Sequence, residues 1–298
     1  MIGKRGIIKM TKMKKLTSVL LAAAMAASLM VPAWAEEPTE AFANYTVNEY
    51  DYIMGLQMTS AEQLAEENLS TEDVRRITND FHMALKERAT LSDKELRDFG
   101  YNQKEIALLK AYEQGIALTD TEYRAVTGTC TASFSLASHT PKDAIFTYTW
   151  NWDHAPLMTF NDSAAVKWMA YDSTSQNIDV NRDSISSTVY YYNGTYRYGE
   201  ESAKRQVNLD DNAACFQFPV VKTYIRNNQT IQAYARTGYI DVSISVDPLS
   251  SAEMLYLKVK GLYAHSTISI SSPSLAISVP PSLSISFSAA GVIEKTGA

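Results

Sequence analysis

Residues 145–152 read Ile-Phe-Thr-Tyr-Thr-Trp-Asn-Trp, and this stretch decides the fold of the C-terminal half. Aromatic residues occupy every second position, and threonine and asparagine lie between them. Because successive side chains of a β-strand point to opposite faces, Phe146, Tyr148, Trp150 and Trp152 would share one face. The stretch therefore predicts a strand with one face in a hydrophobic core.

Alternation with the same period continues on both sides of this stretch. Phe134 and Leu136 alternate with serines before it, and Val166, Trp168 and Ala170 follow it. Further strand-forming runs lie at residues 215–222, 230–246 and 253–270. Many short strands separated by glycine, proline and asparagine turns predict an antiparallel β-sandwich or barrel over residues 128–298.

A hairpin is predicted within residues 188–198, where Asn193-Gly194 separates two strand-forming runs. Asn-Gly is typical of a two-residue type I′ turn, because both turn residues need positive φ. This turn would pair Tyr191 with Tyr196, and Tyr190 with Arg197 in an aromatic–cation contact. One face of the hairpin would then hold Val189, Tyr191, Tyr196 and Tyr198.

Residues 36–127 carry helical signals instead. Ser70 precedes Asp73, and Ser92 precedes Glu95, at the spacing in which a side-chain oxygen caps the first backbone N–H groups of a helix. Apolar residues then recur every three or four positions between residues 74 and 85. The chain is therefore predicted to be α+β, with a small acidic helical module, 36–127, followed by an antiparallel β module, 128–298.

The segment from Leu91 to Tyr112 combines a capped helix, the turn Phe99-Gly100-Tyr101 and a second capped helix. It resembles a helical hairpin of secreted Gram-positive bacterial proteins of unknown function. The resemblance covers some twenty residues and implies no activity.

The first 35 residues have the pattern of a secretory signal peptide. Six basic residues and no acidic residue precede a short apolar run, and Ala33-Trp34-Ala35 forms a small-residue cleavage site. Loss of this leader would leave 21 basic and 33 acidic residues, so the net charge would change from −6 to −12. The sequence thus predicts Gram-positive-type export, and the acidic balance excludes nucleic acid as a primary partner.

The two cysteines, Cys130 and Cys215, allow two interpretations. In an oxidising compartment an even pair is typical of a disulfide. The alternative is two separate buried thiols that act as small apolar residues.

A possible metal site is the segment 179–184, which resembles the opening of the calcium loops of EF-hands and dockerins. Asp179, Asn181 and Asp183 place oxygen ligands at alternate positions. Ser184 replaces the turn glycine of those loops, and Tyr190 stands where their closing acid would be. The alternative is a loop whose side chains bind their own backbone.

The aromatic residues also have two interpretations. Trp150, Trp152, Tyr191, Tyr196 and Tyr198 could form a platform on which sugar rings stack. Alternatively, these rings fill the core between the sheets.

The remaining patterns concern catalysis and membranes. Adjacent Asp153 and His154 could serve a hydrolase if a nucleophile or water lay beside them. The Ser-rich alternation of residues 266–288 is compatible with membrane-inserting strands, although Pro273, Pro280 and Pro281 interrupt it. We expect a secreted, non-catalytic protein that binds a glycan, wall component or protein; a pore-forming-toxin-like protein and a secreted hydrolase are the alternatives.

Overall fold

The computed structural model describes residues 45–66, 69–159, 161–205, 212–266 and 284–294. The helices are α1 (Glu49–Met58), α2 (Ala61–Glu66), α3 (Thr71–Thr90), α4 (Asp93–Asp98), α5 (Gln103–Glu113) and α6 (Asp120–Val126). The first strands are β1 (Tyr45–Asn48), β2 (Thr129–His139), β3 (Asp143–Trp152), β4 (Asn161–Tyr171), β5 (Asn177–Ile178), β6 (Asn181–Asn193) and β7 (Tyr196–Ser202). The remaining strands are β8 (Lys204–Arg205), β9 (Ala213–Pro219), β10 (Val221–Arg226), β11 (Gln229–Ser245), β12 (Tyr256–Ser266) and β13 (Ser284–Glu294).

The strands form two antiparallel sheets. The large sheet has the order β1-β2-β3-β11-β6-β7, and β10 also pairs with β11. The small sheet has the order β13-β12-β4-β9-β8, and β5 pairs with β4. The chain is therefore α+β, and its sheets are antiparallel, as the sequence predicted.

The two sheets pack face to face around the aromatic side chains of β3. Its burial alternates as expected, and Phe146, Tyr148, Trp150 and Trp152 are all buried. The ring of Trp150 stacks on Phe218 of β9 at a centroid distance of 5.3 Å. The predicted face of β3 is confirmed, because these rings bury most of their area between the sheets.

Helices α3 to α6 begin where the sequence predicts. Ser70, Ser92, Asn102 and Thr119 each form a capping box at the start of α3, α4, α5 and α6. Along α3, every residue of the apolar stripe is buried in a second hydrophobic cluster. This cluster also contains Leu157 and Met158, which follow β3, so the helices pack against part of the strand-rich segment.

One strand was missed in the predicted helical segment. Residues 45–48 form β1, which pairs with β2 through Val47 and Cys130. The chain thus contributes an edge strand to the large sheet before its first helix. No helix in the described ranges is long and apolar enough to cross a membrane.

The predicted β6–β7 hairpin forms, but the predicted turn and register are wrong. Its turn residues are Gly194 and Thr195, and only Gly194 has positive φ, so the turn is not type I′. Asn193 pairs with Tyr196 instead of lying in the turn. The Asn193 side chain donates to the carbonyl oxygen of Gln232 at 2.9 Å, which ties the end of β6 to β11.

We expect Gly238→Ala to destabilise the protein by about 1–3 kcal/mol, because overpacking a filled core costs that much. A Cβ at position 238 would overlap the Trp150 ring and lie 2.8 Å from the carbonyl oxygen of Thr188. The measurement is the free energy of unfolding in urea.

The matched control is Gly55→Ala in α1, where nothing lies within 4 Å of the added Cβ. It should stabilise the protein by about 0.5–1 kcal/mol, because glycine is a poor helix former. Equal effects of the two substitutions would contradict the packing described for β3 and β11.

Candidate functional site

The most unusual chemistry is a buried network of ionisable groups. The imidazole Nδ1 of His265 lies 2.8 Å and 2.9 Å from the two carboxylate oxygens of Asp162. Its Nε2 lies 3.3 Å from Oε1 of Glu49. The Tyr263 hydroxyl donates to Asp162 at 2.5 Å, and the Trp152 indole N–H donates to the Tyr263 oxygen at 3.0 Å.

The position of Glu49 follows from the start of α1. Asn48 caps this helix by accepting from the N–H of Tyr50 at 2.9 Å. The Glu49 carboxylate accepts from the backbone N–H groups of Gly128 at 2.7 Å and Leu157 at 3.0 Å. A Cβ at position 128 would lie 2.9 Å from Oε2 of Glu49, so this approach requires glycine.

Opposite charges and hydrogen bonds favour the charged forms of His265 and Glu49. Burial opposes a charge on His265, but the charge of Asp162, the hydrogen bond to it and the ion pair with Glu49 outweigh burial and raise the pKa of His265 to about 10. Burial would raise the pKa of Glu49, but His265 and two backbone N–H groups lower it overall. The imidazolium of His265 therefore lies between the carboxylates of Glu49 and Asp162 inside the protein.

This network is closed to solvent. Glu49, Asp162, Tyr263 and His265 are each no more than 1% exposed. A substrate cannot reach their atoms without opening the interface between α1, β4 and β12. The sequence analysis missed the network, because its two acids and its histidine are far apart in the chain and share no motif.

Three of the five predicted ligand-binding aromatics lie in the core. Trp150, Trp152 and Tyr191 are at most 1% exposed, so they cannot stack on a sugar in this structure. Tyr196 is 51% exposed and its hydroxyl accepts from Arg226 at 2.7 Å, and Tyr198 is half-buried beside it. The buried rings fill the space between the sheets, which the alternative interpretation predicted.

Of the two interpretations of the cysteines, the structure agrees with separate buried thiols. Cys130 on β2 and Cys215 on β9 are both buried free thiols. Burial raises the pKa of Cys130 well above its usual value and that of Cys215 to about 12. Neither cysteine therefore has the thiolate character of a nucleophile.

The predicted calcium ligands are not gathered into a shared site. Asn181 and Asp183 lie on β6, and Asp183 accepts from the Ser245 hydroxyl at 2.8 Å. Asp179 precedes them and is exposed. Within the described ranges, no group of three or more His, Cys, Asp or Glu side chains is arranged to hold a metal ion.

The carboxylate of Asp153 binds backbone N–H groups and does not orient His154. It accepts from the N–H groups of Thr129 at 2.9 Å and His154 at 2.7 Å. The imidazole of His154 is buried and stacks on Tyr101 at 4.4 Å. Its Nδ1 is 3.8 Å from Asp153, beyond hydrogen-bond distance, so the pair lacks the geometry of a base and its orienting acid.

An aromatic–cation cluster lies on the outer face of the large sheet. Arg197 lies over the Tyr190 ring at 4.8 Å, although it pairs with Tyr192 and not, as predicted, with Tyr190. Tyr190 lies 6.0 Å from Tyr239 on β11. Arg236 lies over Tyr192 at 5.6 Å. None of these five side chains is buried. The alternation of β6 could have indicated this cluster. Tyr190 and Tyr192 flank the buried Tyr191, so their side chains point to the opposite face of the strand.

Comparison with known proteins places the chain in no family. No family model and no curated protein matches it. A solved structure described as "AvmM Catalyzes Macrocyclization in Alchivemycin A Biosynthesis" is similar over 57% of this chain and 90% of its own, at 8% identity and a TM-score of 0.27. A second solved structure, described as "Pore forming protein", is similar over 46% of this chain and 73% of its own, at 10% identity and a TM-score of 0.20. At these TM-scores neither likeness is an argument for fold or function.

We expect the free energy of unfolding to decrease from about pH 6.5 towards pH 7.5, below the range in which unfolded cysteine thiols titrate. The folded pKa of His265 is about 10, above its unfolded value near 6.5. The folded protein therefore holds a proton that the unfolded chain releases in this range, and stability falls as pH rises. The measurement is the urea midpoint as a function of pH.

The variant His265→Gln should lose this slope, and His82→Gln should keep it. His82 is the control because burial lowers its pKa, which places its titration below pH 6.5. An unchanged slope in His265→Gln would show that the network is not charged as described.

Native protein in the absence of reductant should not react with a thiol reagent such as Ellman's reagent, because both thiols are buried and protonated. After unfolding in guanidinium chloride, two thiols should react per chain. Absence of reactive thiols in the unfolded, unreduced protein would instead demonstrate a disulfide.

Proposed function

We propose that this protein is exported and non-catalytic, and that it binds a glycan through the outer face of its large sheet. The observation that carries the proposal is the pair of partly exposed rings, Tyr190 and Tyr239, with Arg197 over the first of them. Aromatic faces beside polar groups suit sugar rings, which have an apolar face and hydroxyl groups at their edges.

The strand register surrounds these rings with hydroxyl and amide groups. Thr149 of β3 and Thr188 of β6 pair with Tyr239 from its two sides, so their side chains share its face. In the next row, Asn151 and Tyr190 both pair with Thr237. Hydroxyls and amides can donate to and accept from sugar hydroxyls, so the face supplies both stacking and hydrogen bonds.

The charge of this face favours an uncharged sugar. Arg197 lies 3.3 Å from Glu200, which compensates its charge. The protein as a whole is acidic, with a net charge of −12 after loss of residues 1–35, which disfavours polyanions. A neutral wall or extracellular polysaccharide is therefore the proposed ligand class.

Export is the second part of the proposal, and it rests on the basic, apolar and Ala33-Trp34-Ala35 segments of the leader. The leader and residues 267–283 of the Ser-rich tail lie outside the described residues. Export would bring the outer face of the large sheet into contact with extracellular polysaccharides.

We expect Tyr239→Ala to weaken retention on insoluble neutral polysaccharides by about tenfold, because loss of one stacking ring costs on the order of 1 kcal/mol or more. The measurement is a pull-down with increasing amounts of polysaccharide from cell walls, with unilamellar liposomes as a parallel sample. Circular dichroism of each variant would establish that it is folded.

The matched control is Tyr171→Ala. Tyr171 is a partly exposed tyrosine with Lys258 over its ring at 5.0 Å, but it belongs to the small sheet. Its loss should leave retention unchanged. Equal losses in both variants, or no retention of the unmodified protein, would refute glycan binding by this face, and dye release from the liposomes would favour the membrane-active alternative.

A further inference from the structure

A cleft of about 990 Å³ separates the helices from the end of the large sheet. One wall is formed by α3 and α4, with Glu87, Arg88 and Phe99. The opposite wall is formed by the first residues of β11, including Thr230 and Gln232. The glycan-binding face proposed above lies elsewhere, and the inference below does not depend on it.

Arg88 is a buried cation in this wall. It is 6% exposed, and its guanidinium lies 4.4 Å from the centre of the Phe99 ring. Nη1 donates to the Tyr101 hydroxyl at 2.9 Å and the Ala155 carbonyl at 3.1 Å, and Nη2 donates to the Pro156 carbonyl at 2.9 Å.

Within the part of the chain that the structure describes, no carboxylate oxygen lies within 4 Å of the Arg88 guanidinium nitrogens. Three of its five N–H groups are used by neutral oxygens, which leaves Nε and one N–H of Nη2. Nε and Nη2 form one edge of the guanidinium, and such an edge can bind both oxygens of a carboxylate. Because no carboxylate contacts the guanidinium directly, an anionic group at this edge would form a charge-assisted pair with it.

The opposite wall offers an open strand edge. β10 and β11 are joined by the turn Asn227-Asn228, with Arg226 paired to Gln229. In an antiparallel ladder that starts from this closing pair, the backbone groups of Thr230 and Gln232 point away from β10. The Asn193 side chain reaches the Gln232 carbonyl from that side, which agrees with this direction.

The neighbouring strand ends before it can cover this edge. β6 first pairs with β11 at Tyr234 and ends at Asn193. In the described ranges, the N–H and C=O groups of Thr230 and the N–H of Gln232 therefore have no strand partner. Such an edge can accept an extended peptide as an additional strand.

We propose that the cleft binds an extended peptide that ends in a free carboxylate. The peptide backbone pairs with Thr230 and Gln232, and its terminal carboxylate binds the open edge of Arg88. Glu87 is exposed at the rim of the same cleft, so a basic side chain near the peptide terminus is favoured. The proposal combines strand addition with capture of a terminal carboxylate.

The test uses purified, fluorescently labelled protein and an array of hexapeptides of randomised sequence. Each sequence is attached through its N-terminus and is present with a free C-terminal carboxylate and with a C-terminal amide. We expect the carboxylate forms to bind about tenfold more tightly, because a charge-assisted hydrogen-bonded pair is lost with the amide. Sequences with lysine or arginine near the terminus should bind best.

Two variants test the two parts of the site, the Arg88 guanidinium and the open edge of β11, separately. Arg88→Gln should reduce the preference for the carboxylate, whereas Thr230→Pro should weaken both forms because it removes an edge N–H. Thr223→Pro is the matched control: Thr223 pairs with Gln232, and its N–H points away from β11 on the other side of the hairpin. This control should bind like the unmodified protein.

Equal binding of the carboxylate and amide forms, or the same loss in Thr223→Pro as in Thr230→Pro, would overturn the proposal. So would the absence of binding to any peptide by protein that is folded by circular dichroism. A concentration-dependent dimer that Thr230→Pro abolishes would show instead that a second copy occupies the edge. Since Thr230→Pro leaves the Arg88 contacts intact, the test stands even if Arg88→Gln does not fold.

Discussion

The contact between Glu49 and His265 is the constraint on which the rest of the arrangement depends. It joins the first helix to β12, and His265 in turn binds Asp162 on β4. Removing one member of a buried charged network leaves its partner uncompensated, which costs about 3–5 kcal/mol. The helix start, both β-strands and the loop at Leu157 are therefore held at fixed distances from one another.

This network lies where the two hydrophobic clusters meet. One cluster lies between the sheets, and the other joins the helices to Leu157 and Met158. Glu49 accepts from the backbone of Gly128 and Leu157, so the same carboxylate binds the start of the strand-rich segment and the loop that follows β3. Separating the helices from the sheets would expose three ionisable groups and both sets of backbone donors.

The fixed position of the helices shapes the surfaces available for binding. α3 and α4 lie beside the open edge of β11, which creates the cleft. The outer face near Tyr190 and Tyr239 holds partly exposed tyrosines, threonines and asparagine. Among the described residues, Trp150, Trp152 and Trp168 are absent from both surfaces because these largest rings fill the space between the sheets, and tyrosine hydroxyls tolerate contact with water.

The sequence by itself determined the type of most elements, although it missed β1. The helix caps at Ser70 and Ser92 and the alternation of residues 145–152 predicted helices and strands correctly, because these signals depend on local backbone geometry. Local geometry could not assign Tyr191 to the core or place the turn at Gly194, since a shift of one residue reverses every side chain of a strand. Only the tertiary structure decided these points, together with the buried network and the open edge. They depend on contacts between distant residues, such as Glu49 with Leu157, 108 positions apart, which no local pattern records.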